Sequence, residues 1–324
     1  MRDVSFSLSS WPTKAPFSIT GHTFTEAFIL TVILKQDGAI GRGEGTGVYY
    51  LGETGDTMLA QAETIRHDLA AGLTRDHLQK ILPAGGARNA IDCALWDLEA
   101  KQSDQTIWEL TGIKPSGVIT VNTVGIGTPE EMAQTATLLD TPRIKVKLDG
   151  ERPLDCIRAV RAARPDAEIV VDVNQGWTFE QLKALAPKFK ALDIEMIEQP
   201  LARGGDADLE GYSSPVPLCA DESCLDRSEV EQASRRYQMI NIKLDKTGGL
   251  TEAMALAHKA KVMGLGLMVG NMLGTSLAMA PGFVIAQMCR YVDLDGAVLL
   301  SKDRENPMRY AGGVVSSPMR NLWG

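Results

Sequence analysis

The chain has 324 residues, room for about two domains of ordinary size or for a large barrel with an addition. Hydrophobic residues make up 44% and charged residues 23%, a globular composition that excludes intrinsic disorder. Lys and Arg number 33 against 41 Asp and Glu, and the net charge of −8 argues against a nucleic-acid-binding face. No apolar run approaches the roughly 18 residues of a membrane span, so no membrane partner is expected. The stretch MRDVSFSLSSWPTKAPF lacks the apolar segment of a secretory leader. Five cysteines (Cys93, Cys156, Cys219, Cys224, Cys289) form no metal-like or disulfide-like pattern and read as reduced thiols of a cytoplasmic protein.

Taken in chain order, Phe28–Lys35 and Gly38–Gly45 flank a turn at Gln36-Asp37-Gly38, which predicts a hairpin. Residues 87–101 then carry Ala87, Ala90, Ile91, Ala94, Leu95 and Leu98 on one helical stripe. Strands followed by helices predict an α+β domain over residues 1–115. From residue 118 the pattern becomes regular. Apolar runs start at Val118, Ile144, Ile169, Ile194, Pro217, Met239, Leu265 and Tyr291, spaced roughly 22–28 residues apart, with helix-like stretches between them. Thr128-Pro129-Glu130-Glu131 and Thr178-Phe179-Glu180-Gln181 have the form of capped helix starts. Eight such units predict a parallel α/β barrel.

The strand ends carry the chemistry. The second run holds Lys145 and Lys147, the third Asp172 and Asn174, the fourth Glu198, the fifth Asp221 and Glu222. The sixth holds Asn241, Lys243 and Asp245, the seventh ends at Asn271, and the eighth holds Asp293 and Asp295. Alternate strand residues share a face, and barrel strand ends gather at one mouth. A lone charge at a strand end usually solvates a loop. Carboxylates on three successive strands with lysines on either side repel too strongly to assemble without a ligand. Three carboxylates without His or Cys favour a hard divalent cation such as Mg²⁺. The lysines are then acid/base candidates, since burial and neighbouring positive charge lower an ammonium pKa. Lys147 and Lys243 would approach a substrate from opposite sides, which suits inversion at a carbon.

The elements KVK (145–147), DVNQGW (172–177), EQP (198–200), ADES (220–223) and NIKLDKTGGLTEA (241–253) resemble the muconate-lactonizing subgroup of the enolase superfamily. DLDG (293–296) resembles the dipeptide epimerases within it, and the likeness runs nearly end to end. The resemblance implies a modified (β/α)7β barrel over residues 116–300, covered by the N-terminal domain, with residues 301–324 returning to that cap. It implies that Asp172, Glu198 and Asp221 bind one Mg²⁺ per site, with Mn²⁺ a possible substitute. Lys147 and Lys243 would be the acid/base pair, and Lys145 would lie near the substrate carboxylate. Asp293 and Asp295 would hold a dipeptide ammonium, and Asn174 and Glu222 would stand behind the metal ligands. The implied reaction is epimerisation of a dipeptide's C-terminal residue through a metal-stabilised enediolate, an isomerase of murein peptide breakdown acting on L-Ala-D/L-Glu or a related L-Ala-L-Xaa.

One stretch departs from that pattern. L-Ala-D/L-Glu members commonly read like ARGSRSEA after the first strand, with an arginine for the Glu side chain. Here residues 20–27 read TGHTFTEA, and Phe24 stands in that arginine's place. Phe cannot offer a guanidinium's fork of donors, so an apolar or aromatic second residue becomes the alternative, with His22 a partial substitute for the arginine. Phe24 packing against the barrel is the other reading. Tyr49 and Tyr50 sit on a loop placed to cover the mouth, and residues 270–276 are placed to line it. An o-succinylbenzoate synthase or cycloisomerase-type lyase would share the metal and lysines, but Asp293 and Asp295 do not suit its anionic substrate. A Schiff-base aldolase would need no metal. Homo-oligomerisation stays open.

Overall fold

The computed structural model describes all 324 residues. The predicted hairpin is present as strands His22–Gln36 and Ala39–Thr46, with Gln36 opposite Ala39. Asp37 and Gly38 both have positive φ (51° and 82°), as a two-residue turn matching the strand twist requires. A third strand, Asp3–Ile19, pairs antiparallel with His22–Gln36 and was not predicted. Its alternation of Val4, Phe6 and Leu8 is the signal that was passed over. Its register slips between Pro12 and Phe17, where Pro12 and Pro16 have no N–H to donate.

The predicted helix runs Gly86–Gln102 and is buried along almost all its length. Its alanine stripe lies on the sheet. Gly41, Gly43 and Gly45 occupy one face of the third strand, and a Cβ on any of them would collide with the helix backbone at Ala94, Ala90 or Gly86. The alternate residues are polar hooks to the barrel. The Glu44 carboxylate accepts from Thr275 N and Oγ1 (2.7 and 2.6 Å), and Thr46 N donates to Asp245 Oδ1 (2.9 Å). The helix reaches the barrel too. Arg88 donates to Thr247 O (2.6 Å), Asn89 to Asp245 Oδ1 (2.8 Å) and Trp96 Nε1 to Thr251 Oγ1 (3.0 Å).

Eight parallel strands form one sheet in strictly sequential order: Asn122–Val124, Arg143–Lys147, Glu168–Asp172, Ile194–Glu198, Leu218–Ala220, Met239–Lys243, Gly266–Gly270 and Tyr291–Val292. The ends are joined by Val121 N donating to Val292 O (2.8 Å) and by Asp295 Oδ2 accepting from Thr123 N (3.0 Å). The modified barrel expected from the sequence is thus present. Two details differ. Val118 and Ile119 leave the barrel to pair with Val314–Val315, so the first strand starts later than the apolar run. Between the fourth and fifth strands stands only a 3₁₀ turn, Ala207–Leu209, in a segment broken by Gly204, Gly205, Gly211, Pro215 and Pro217. The C-terminus returns to the cap helix, with Gly324 N on Asp97 Oδ1 (2.7 Å) and Trp323 Nε1 on Cys93 O (3.0 Å).

Val121, Val170, Met196, Cys219, Met239, Met268 and Tyr291 form an apolar cluster inside the barrel, which makes it a packed core and not a pore. All five cysteines are free thiols. No helix is long and apolar enough to cross a membrane.

The interface of cap and barrel carries a pH signature. Asp92 is fully buried, with Gln79 Nε2 (3.0 Å) and Thr251 N (2.9 Å) as donors. Burial raises its pKa from 3.8 to about 6. A carboxyl held above its unfolded pKa binds protons better when folded, so its contribution falls as pH rises from about 4 to 6 and is level above. That gap is worth about 3 kcal/mol. Asp92→Asn should therefore gain stability relative to the parent across this window, and urea unfolding at pH 4 and 6.5 measures it. A pH-independent difference contradicts the assignment.

Candidate active site

Strand register assembles the site. Lys147 is the partner of Asp172, and Asp172 of Glu198, so three charged residues stand in one row across adjacent strands. Asp221 lies two residues past Cys219, the register partner of Glu198, which keeps it on the same face. The row sits one side-chain layer above the apolar cluster, because Val170, Met196 and Cys219 each precede its carboxylates by two residues.

Above the row is a narrow pocket under the cap. Lys145, Lys147, Lys243, Asn174, Glu222, Asp293 and Asp295 line its barrel side. Phe17, Ile19, Phe24, Tyr49 and Tyr50 line its cap side, with Met272, Leu273 and Leu299 completing eight hydrophobic residues. No arginine lines it. Lys147 and Lys243 stand on the second and sixth of eight strands, hence on opposite walls.

Asp172, Glu198 and Asp221 are completely buried beneath this floor. Lys145 Nζ lies 2.9 Å from Asp172, 2.8 Å from Glu198 and 2.8 Å from Asp293. Lys147 Nζ donates to Asp172 Oδ2 (2.7 Å) and Asn174 Oδ1 (3.0 Å), and Lys243 Nζ lies 2.8 Å from Asp221 Oδ2. Burial works against charge at Asp172 and Asp221, but the lysines around them win and hold both carboxyls below the usual range. Burial together with the charge of Asp172 pushes Glu198 up. Burial together with Asp221 and Asp172 pushes Glu222 up, and burial with Asp293 pushes Asp295 up. Burial is the largest single effect on Lys243 and Lys145 and lowers both, yet the surrounding carboxylates together outweigh it, with Asp221 foremost at Lys243 and Asp172 and Asp293 at Lys145, so both ammonium groups are held firmly.

The donor set suits a hard cation. Glu198 Oε2 and Asp221 Oδ2 are buried without an aligned hydrogen bond, although each has an ammonium 2.8 Å away, and Glu222 Oε2 has neither. Buried anionic oxygens with free lone pairs are what Mg²⁺ coordinates. In this arrangement no three acidic groups close on one point, and Lys145 lies between Asp172 and Glu198.

Of the residues singled out in the sequence, His22 is not brought to the pocket. It sits two residues nearer the strand end than Phe24, packs edge-on against that ring (4.3 Å) and stacks on Tyr49 (5.1 Å), in a groove that adjoins the pocket and shares Phe24, Tyr49, Met272 and Leu273 with it. Phe24 does line the pocket, as do Tyr49, Tyr50 and residues 271–273. Lys246 was missed. Its ammonium is fully buried on Asp221 Oδ1 (2.5 Å) and on the carbonyls of Asp221 (2.6 Å) and Asn241 (2.9 Å). Its only signal was the spacing from Lys243. Asn241, which donates to Glu198 Oε1 (2.7 Å), and Thr123, which holds Asp295, also escaped assignment.

Residues 1–112 match the mandelate racemase/muconate lactonizing enzyme N-terminal domain, and residues 130–321 match the enolase C-terminal domain-like family. The chain belongs to this enolase-superfamily group. It is 44% identical to the L-Ala-D/L-Glu epimerase of Escherichia coli, over 97% of this chain and 99% of that one. It is 46% identical to an N-acetyl-D-glutamate racemase of a Pseudoalteromonas species, over 75% and 78%. Among superfamily members of known structure, one from Agrobacterium tumefaciens with homology to dipeptide epimerases, solved with sodium and L-Ala-L-Glu, superposes with a TM-score of 0.97 at 38% identity over all of both chains. A dipeptide epimerase of Methylococcus capsulatus, solved with Mg and L-Arg-D-Lys, gives 0.92 at 28% over 99% and 98%. The motif resemblance holds at this level, and both curated relatives carry activities of the isomerase class.

Proposed function

We propose that this protein is a dipeptide epimerase that inverts the Cα of the C-terminal residue, with an apolar or aromatic side chain preferred there. The observation that carries it is the pair of lysines on opposite walls of one pocket, above three buried carboxylates and beside Asp293 and Asp295. Asp172, Glu198 and Asp221 would hold Mg²⁺, with Mn²⁺ as a substitute. When bound, the cation supplies positive charge against the negative charge that builds on the substrate carboxylate as its α-proton leaves.

The chain's own groups do the rest. One lysine takes the proton from Cα and the other returns one to the opposite face. Each must be neutral to act as base, and a carboxylate shared with a cation holds an ammonium less tightly. Lys145 positions the substrate carboxylate. Asp293 and Asp295 bind the α-ammonium at the other end, and Asn174 and Glu222, which line the pocket themselves, steady the row from its pocket side. Phe24 and its neighbours present apolar surface where an arginine would be needed for a Glu side chain. In this reading residues 1–115 are the cap, 116–300 the catalytic barrel and 301–324 the returning strap. The five unpaired thiols fit a reducing cytoplasm.

A second reading has one observation in its favour: the 46%-identical relative is a racemase of an N-acylated amino acid. An acyl group carries no ammonium, so Asp293 and Asp295 speak for the dipeptide. The deciding experiment is mass spectrometry of L-Xaa-L-Xaa libraries in D₂O with Mg²⁺. One deuterium should enter at Cα of apolar and aromatic C-terminal residues, and EDTA should abolish uptake. Uptake on L-Ala-L-Glu alone removes the apolar preference. Uptake on N-acetyl amino acids and no dipeptide establishes the second reading.

A further inference from the structure

Gln199 follows Glu198 directly and is completely buried, with φ at +34°, a backbone conformation uncommon for any residue but glycine. Backbone strain of this kind persists only where the surroundings over-determine it. Here every polar atom of the residue is engaged. Oε1 accepts from Asp221 N (2.9 Å) and Ser223 N (3.0 Å). Nε2 faces Leu201 O (2.8 Å), Ser223 Oγ (2.8 Å) and the Tyr237 hydroxyl (3.2 Å). Its backbone N donates to Cys219 O (2.9 Å), and its carbonyl accepts from Gln175 N (2.8 Å). Two backbone N–H groups on one end and acceptors on the other leave the amide only one orientation.

These bonds cross from the end of the fourth strand to the end of the fifth. That junction is where the ladder between the two strands has stopped, since their paired residues end at Glu198 and Cys219. Asp221 therefore lies beyond the last ladder pair, and the Gln199 side chain takes over the ladder's task. It ties the backbone of Asp221 to the backbone next to Glu198. Through Gln175 it also reaches the segment after Asp172, where Asn174 and Gln175 have positive φ as well (43° and 70°). One side chain and its peptide thus connect the ends of all three carboxylate-bearing strands.

We infer that Gln199 is a positioning residue, setting the spacing of Asp221 from Glu198 and thereby the affinity of the site for a divalent cation. The inference rests on the metal reading above. Gln199 does not line the pocket, and it acts through the Asp221 backbone.

The test is a titration of the purified full-length chain with Mn²⁺ alone, following free Mn²⁺ by electron paramagnetic resonance, with thermal unfolding of each variant measured alongside. Gln199→Met keeps the volume and removes the bonds, and it should weaken Mn²⁺ binding by about 10- to 100-fold. Tyr237→Phe is the control. It breaks the outer end of the same network, including the bond to Asp206 Oδ2 (2.7 Å), and leaves the Asp221 and Ser223 amides held. It should lower Tm yet keep Mn²⁺ affinity within about twofold, an effect far below that of a lost partner behind a ligand. Should Gln199→Met not fold, Gln199→Asn, too short to span the gap, takes its place with the same expectation. A folded Gln199 variant with parental affinity overturns the inference, and so does an equal loss in Tyr237→Phe. A parent chain that binds no Mn²⁺ overturns the metal reading itself, which separates the two failures.

Discussion

Lys147→Ala and Lys243→Ala should each lower epimerisation by about 10²- to 10⁴-fold, the range of a lost general acid or base, while Mn²⁺ affinity stays near that of the parent. The more telling result is stereochemical. With one lysine gone, the other still faces one side of Cα, so each variant should exchange the α-proton of one epimer with D₂O without producing the other. The two variants should serve opposite epimers. Neither substitution strands a buried charge, because Asp221 keeps Lys246 at 2.5 Å and Asp172 keeps Lys145 at 2.9 Å. Loss of activity in a folded variant then reports chemistry and not collapse. Chiral chromatography of the products and proton NMR of the exchange decide it. If either variant still inverts at a near-parental rate, the opposed pair is the wrong assignment.

Phe24→Arg should reverse the preference at the second residue. Phe24 lines the pocket next to Tyr49, with ring centroids 5.5 Å apart, and no positive group other than the three lysines lines it. An arginine there gains a charge-assisted bond to a Glu side chain, worth about 1.5–3 kcal/mol, or about 10- to 150-fold in kcat/KM for L-Ala-L-Glu. The same guanidinium finds no partner on an aromatic dipeptide and loses apolar contact, so kcat/KM for L-Ala-L-Phe should fall. The ratio of the two constants is the quantity to measure, since it cancels any general loss of activity. An unchanged ratio would show that Phe24 packs against the barrel without reading the substrate.

How much of this was legible in the chain depends on the range of the interactions. The hairpin turn at Asp37-Gly38, the helix stripe from Ala87 to Leu98 and the capped helix starts at Thr128 and Thr178 were all readable, because each is set by neighbours a few residues away. The strand Asp3–Ile19 is less legible because the alternation Val4-Ser5-Phe6-Ser7-Leu8 gives way to Pro12, Lys14 and Pro16. The missing helix after the fourth strand was signalled by glycines and prolines, but barrel periodicity argued the other way.

At the site, the choice of Lys147, Asp172, Glu198, Asp221 and Lys243 as candidates followed from one-dimensional facts: charge type, strand-end position and period-two spacing. Their convergence did not. Register alone put Lys147, Asp172 and Glu198 in a row, and closure of the sheet put Lys243 opposite. His22 and Phe24 are two residues apart and both pack on Tyr49, yet only the fold shows that Phe24 reaches the pocket while His22 lines only the adjoining groove, which Phe24 and Tyr49 share. Lys246 and Gln199 have their functional neighbours on other strands. Sequence by itself therefore determined most of the elements and the barrel class, since local periodicity is a property of the chain. The tertiary structure decided which groups meet, because contacts between distant residues depend on register and closure, which no short stretch of sequence contains.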